Sequence, residues 1–181
     1  MRHLIGVLCG LGVVIVSQAG LGREARDYEA DERSITDCVE AAERSRSAVS
    51  ADLIRQCIGQ QTQICDRVTQ DAYQSNKRMY CADAEAEVWR RLLGRAYASL
   101  LEALTKADDD ARKMTTLTYE SAADALKQAH EAWKATDKDC EFARIQARFG
   151  TDRYDVPARC ERDRIAERAL LYRRWLVGQP Y

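Results

Sequence analysis

The sequence predicts an all-α fold, a disulfide-stapled bundle of about four to five helices. Three observations lead there. Of 181 residues only two are proline and nine are glycine, while Ala, Arg, Glu and Leu abound, a composition that suits helices. Apolar residues recur at steps of three and four over long stretches, and no segment alternates with the period of a strand. Six cysteines, Cys38, Cys57, Cys65, Cys81, Cys140 and Cys160, lie in order around candidate turns.

The elements follow in chain order. Arg2 and His3 precede the apolar run Leu4–Val16, and Ser17-Gln18-Ala19 follows with small-x-small spacing. A charged start, a short apolar core and that ending predict a secretory signal peptide over 1–19. The run is short for a membrane span. Leu8 precedes Cys9, which does not suit a lipidated cysteine, so no stable membrane anchor is expected after cleavage. Residues 20–32 are charged and aperiodic and are expected to form a flexible leader. A single domain is expected over 33–177.

Ser34-Ile-Thr-Asp37 reads as a capping pattern that opens a first helix, with Ile35, Cys38, Val39 and Ala42 on one side. Ser50 suits the cap of a second helix carrying Leu53, Ile54, Cys57, Ile58 and Ile64 or Cys65. A long helix is expected from somewhere in 76–86 to about Lys106, its stripe made by Trp89, Leu92, Leu93, Ala96, Leu100 and Leu104. Asp108-Asp109-Asp110 through Thr118 is expected to break that helix. Ser121-Ala-Ala-Asp124 then caps a helix that keeps Leu126, Ala129, His130, Trp133, Cys140 and Ala143 on one side. Gly150 is expected to stop this arm in the left-handed conformation. Asp155 and Pro157 suit the start of the last helix, which carries Ile165, Ala169, Tyr172 and Leu176 on one face.

Of the seven cysteines, Cys9 is expected to leave with the signal peptide, and the even number that remains in an exported chain points to disulfides before metals. Six permit fifteen pairings, and position narrows the choice. Each consecutive pair straddles a candidate turn, at Ser47–Ser50, at Gln70–Asn76 and at Gly150. The expected bonds are therefore Cys38–Cys57, Cys65–Cys81 and Cys140–Cys160. Each closes a loop of about fifteen to twenty-one residues, which loop-entropy arguments value at roughly 3 kcal/mol before strain is subtracted.

Composition excludes some functions. The formal net charge is −1, and loss of 1–19 removes Arg2 and leaves −2, so no basic excess favours nucleic acid or an anionic membrane surface. His130 is the only histidine of the exported portion, and no nucleophile or orienting acid is designated for it. His130-Glu131 begins like a zinc-protease helix motif, but Lys134 stands where the second histidine must be. Asp108–Asp110 lacks the glycine and glutamate of a calcium loop, since Lys113 and Tyr119 occupy those places. Trp89 and Trp133 lie on apolar stripes and are expected in the core. No catalytic residue, no metal site and no cofactor are therefore expected, and the protein is not read as an enzyme. One stretch stands out: Arg148-Phe-Gly-Thr-Asp-Arg-Tyr154 sits at the tip of the expected 140–160 hairpin. Arg148, Arg153 and Tyr154 form a candidate binding tip, because a staple lowers the entropy lost on binding and these residue types dominate interfaces.

Several motifs together resemble the LprI-type lysozyme inhibitor family, small exported helical proteins of bacteria. They are Cys57-Ile-Gly then Cys65; Cys81 with Trp89, Leu93, Tyr97 and Leu100; Leu126-Lys-Gln-Ala-His-Glu-Ala-Trp133; and Cys140, Gly150, Cys160 and Arg168. The likeness runs from about Cys38 to Trp175. Departures are Gly94 where the family usually has Asn, His130 where it has Gln, Thr136-Asp137 where an Arg-Asp pair is common, and Ile165 where Thr is common. The resemblance implies a periplasmic or secreted lysozyme (muramidase) inhibitor-like binding protein, with a lysozyme as partner. The alternative class is a non-inhibitory envelope interaction or structural protein.

Overall fold

The computed structural model describes residues 23–45, 50–114, 120–147 and 150–178. The signal peptide expected over 1–19 lies outside the described residues. Seven α-helices are present among them: α1 (Glu32–Arg44), α2 (Ser50–Arg55), α3 (Gln60–Val68), α4 (Gln74–Met114), α5 (Ala122–Lys134), α6 (Lys138–Gln146) and α7 (Asp155–Leu176). They are five helices with two interruptions. Gly59, at φ 87°, breaks the second helix into α2 and α3 in a conformation that costs an L-side chain energy. A 3-10 turn at Ala135–Asp137 separates α5 from α6.

α4 is the spine, 41 residues long, and α7 packs along it as its main partner. Trp89, Leu93 and Leu100 of α4 meet Ile165, Ala166, Ala169 and Tyr172 of α7 in one core, to which α1 adds Ile35 and Val39 and α5 adds Leu126. Salt bridges fasten α1 over this pair: Glu32 to Arg91 and Arg95 of α4, and Glu43 to Arg173 of α7. A second, smaller cluster holds Ala25 with the cystine of Cys65 and Cys81.

The three disulfides link Cys38–Cys57, Cys65–Cys81 and Cys140–Cys160, with Cα–Cα distances of 5.9, 5.5 and 5.5 Å. These are the pairs that the turn positions predict.

Four expectations need correction. The 20–32 segment expected as a flexible leader is attached from Arg23 onward. Backbone hydrogen bonds join Ala25 N to Gln70 O and Gln70 N to Arg23 O, Ala25 is buried, and the Tyr28 hydroxyl donates to Gln61. Helix α1 starts two residues before Ser34, because the Asp31 carboxylate accepts from Arg33 N and is the actual cap. Asp108–Asp110 is not an interhelical break but part of α4. Lys106 and Lys113 both hold Asp110, and Arg112 holds Asp109, at helical spacing, while Asp108 faces inward. Gly150 is extended rather than left-handed, at φ −127° and ψ 175°.

Candidate functional site

Two carboxylates of α4 set the frame on which any binding surface rests. The N-terminus of α3 has glycine at its cap position and so no side chain to serve its free N–H groups. Glu85 supplies the missing acceptor from α4. Its buried carboxylate accepts from Gly59 N (2.6 Å), Thr62 N (2.7 Å), the Thr62 hydroxyl (2.8 Å) and the Trp89 indole (3.0 Å). Arg162 of α7 donates to the same Thr62 hydroxyl at 3.0 Å, so one hydroxyl joins cation to anion across three helices. Near the other end of α4, Asp108 accepts from Ser121 Oγ, Ala122 N and Ala123 N at the start of α5. Those bonds, the Ala123 N–H first, hold its carboxyl below the usual aspartate range. Ser121 caps its own helix as expected, accepting from Asp124 N.

The hairpin tip is the first candidate surface. Arg148 lies outside the described residues. Arg153 and Tyr154 are neighbours in the turn before α7, the guanidinium lying 4.3 Å from the Tyr154 ring centroid and donating to its hydroxyl. Both are exposed, and so are Phe142 (59%) and Ile145 (44%) on α6. Spaced by three, these two form a short apolar ridge on a helix that buries only Cys140. Sequence reasoning missed the ridge; the signal was the pair of large apolar residues opposite the side that Cys140 defines.

The second surface is a groove between α4, α5 and α7. His130, on α5, stacks on Tyr97 of α4 at 4.2 Å between centroids, and its Nδ1 shares a hydrogen bond with the Tyr172 hydroxyl of α7 at 3.0 Å. Trp133 continues the aromatic row and carries the Arg164 guanidinium 4.6 Å from its ring. Burial pushes the His130 imidazole below the usual histidine range, and Lys134 and Arg168 act in the same direction. Its contacts join three helices, α5 to Tyr97 of α4 and Tyr172 of α7. Trp89 is fully buried, as its stripe predicts, whereas Trp133 is half-buried at the groove wall. Three of the departures noted above, Gly94, His130 and Ile165, line this one groove.

Among the described residues no three His, Cys, Asp or Glu side chains converge in a way that could hold a metal ion, and no helix is long and apolar enough to cross a membrane. The family model for lysozyme inhibitor LprI matches residues 65–170, more than half of the chain. The chain belongs to the LprI lysozyme inhibitor family. The match begins at the cysteine opening the second disulfide and ends within α7, so it spans the α4–α7 spine and the stapled hairpin. No curated protein and no solved structure matches the chain.

Proposed function

We propose that this LprI family member is an exported, disulfide-stabilised protein that binds a lysozyme and blocks it, without catalysis of its own. Family membership is the observation that carries the reading. Two further features support it. The Cys140–Cys160 bond holds a hairpin whose exposed residues include Arg153, Tyr154, Phe142 and Ile145, types suited to a preorganised contact. The mildly acidic net charge of the chain favours encounter with a basic muramidase.

In this reading the tip enters the substrate cleft and Arg153, or Arg148 five residues earlier in the chain, meets the paired carboxylates that a glycoside hydrolase needs. Turbidity clearing by animal-type and bacterial muramidases, with and without the oxidised protein, tests it. Inhibition is expected from the parent chain and is expected to drop at least about tenfold in the Arg148→Ala, Arg153→Ala double variant, the equivalent of one lost charge-assisted contact. Full inhibition by that variant rules out the tip as the contact. No inhibition of any muramidase by helical, fully oxidised protein removes the inhibitor reading itself in favour of an envelope-interaction role.

A further inference from the structure

The groove between α4, α5 and α7 contains a glycine that packing does not explain. Gly94 lies in the interior of the 41-residue α4, where glycine is the poorest helix former after proline. A Cβ built on it meets no atom within 4 Å, so neither a close neighbour nor a positive φ requires its absence. Arg90, Gly94 and Tyr97 follow one another at steps of four and three and share a face of α4. A side chain at 94 would therefore stand in the groove; glycine leaves the floor open.

The walls suit one kind of guest. Tyr97, His130 and Trp133 present a row of half-buried rings on one side. At the lip Arg90, Lys134 and Arg164 face a single lining carboxylate, Glu161. Arg164 is fixed in place, held by both Glu161 and the Trp133 carbonyl. Arg90 and Lys134 are held more loosely. Arg90 pairs with Glu87, and at longer range with Glu161, while Lys134 pairs with Glu131. The Glu87 and Glu131 pairs are single-turn ion pairs on exposed helix faces, which contribute little and exchange readily for another carboxylate.

We propose that this groove binds a small ring-borne carboxylate, the ring lying over Gly94 against the aromatic wall and the carboxylate reaching Arg90 and Lys134. A sugar acid and an aromatic acid share that chemistry. None of the lining residues belongs to the hairpin tip, so the site stands independently of muramidase binding.

The test is an NMR titration of the oxidised full chain at millimolar ligand with N-acetylmuramic acid, with benzoate, and with N-acetylglucosamine as a ring lacking the carboxylate. At least one of the acids is expected to shift the Gly94 amide and the Trp133 indole signals, and the one that does so identifies the source. N-acetylglucosamine is expected to bind about tenfold more weakly or not at all, as is the Arg90→Gln, Lys134→Gln double variant toward the acid. Gly94→Gln fills the floor with a better helix former, so it is expected to keep the fold, to melt no lower than the parent and to lose the ligand. It is also expected to inhibit muramidases as the parent does, which separates this site from the tip. No shift with either acid, equal binding of N-acetylglucosamine, or unchanged binding by folded Gly94→Gln would overturn the proposal.

Discussion

Replacing Glu85 tests whether α4 holds its neighbours by lending them acceptors. The carboxylate is fully buried and receives four donors, three of them N–H groups that cannot reverse their polarity. In Glu85→Gln one oxygen becomes an NH2 group. The best arrangement keeps the remaining oxygen on Gly59 N and the Trp89 indole and turns the amide toward Thr62. The Thr62 hydroxyl can then accept, as it already does from Arg162, but Thr62 N is left buried without a partner. One such orphan costs about 1–3 kcal/mol, and loss of the charge at the α3 N-terminus adds to it. We expect a total near 2–3 kcal/mol, or a fall of roughly 5–10 °C in melting temperature for a domain of this size. Glu85→Ala abandons all four donors and opens a cavity, and it is expected to cost more, a large share of the roughly 5–15 kcal/mol that holds such a domain together. Urea and thermal unfolding followed by circular dichroism measure both, with exposed Glu87→Gln as the neutral control. A Glu85→Gln protein within about 0.5 kcal/mol of the parent, the range of an ordinary surface change, would refute this account of the cap.

Gly94→Ala is expected to stabilise the fold by about 1 kcal/mol, since the added methyl enters open space in a helix interior; an unchanged or lower melting temperature would contradict it. Removing the hairpin bond with Cys140→Ser and Cys160→Ser is expected to free α6 alone. No α6 residue belongs to either core cluster, so hydrogen exchange should quicken over 138–147 while the α4–α7 core stays protected, and loss of protection throughout would count against it. His130 gives a pH signature. Its folded pKa lies below the ordinary value of about 6.5, so as pH falls through that value the unfolded chain takes up a proton that the folded chain refuses. Its contribution is complete above that pH and declines on acidification. The stability difference between pH 7 and pH 5 should shrink in His130→Gln, and an unaltered difference would show that the ring titrates freely.

Several features were legible in the sequence because local rules govern them. The apolar stripe of α4 and the face of α7 follow from helical spacing, and the disulfide order follows from cysteines placed on either side of turns. The Ser121 cap was readable because its acceptor and donor lie three residues apart. Glu85 was half visible, as a carboxylate one turn before Trp89 on an apolar stripe. Its α3 donors come from 23 and 26 residues away, so no local pattern names them. Asp108–Asp110 misled for a related reason. Three acidic residues in a row resemble a solvated turn, and only the start of α5 packed beside α4 turns Asp108 into a cap. The leader misled likewise, because Gln70 and Gln61, which fasten it, lie far along the chain.

By itself the sequence determined helix type, the approximate place of each helix, the disulfide pairs and the family, since all of these rest on neighbours within a few turns or on ordered motifs. The tertiary structure alone decided which carboxylates become caps, which aromatic residues are core and which line a groove, and that α6 hangs on one cystine with its apolar ridge outward. Those outcomes depend on donors and surfaces brought together from distant parts of the chain, and burial, which sets their strength, exists only once the helices have packed.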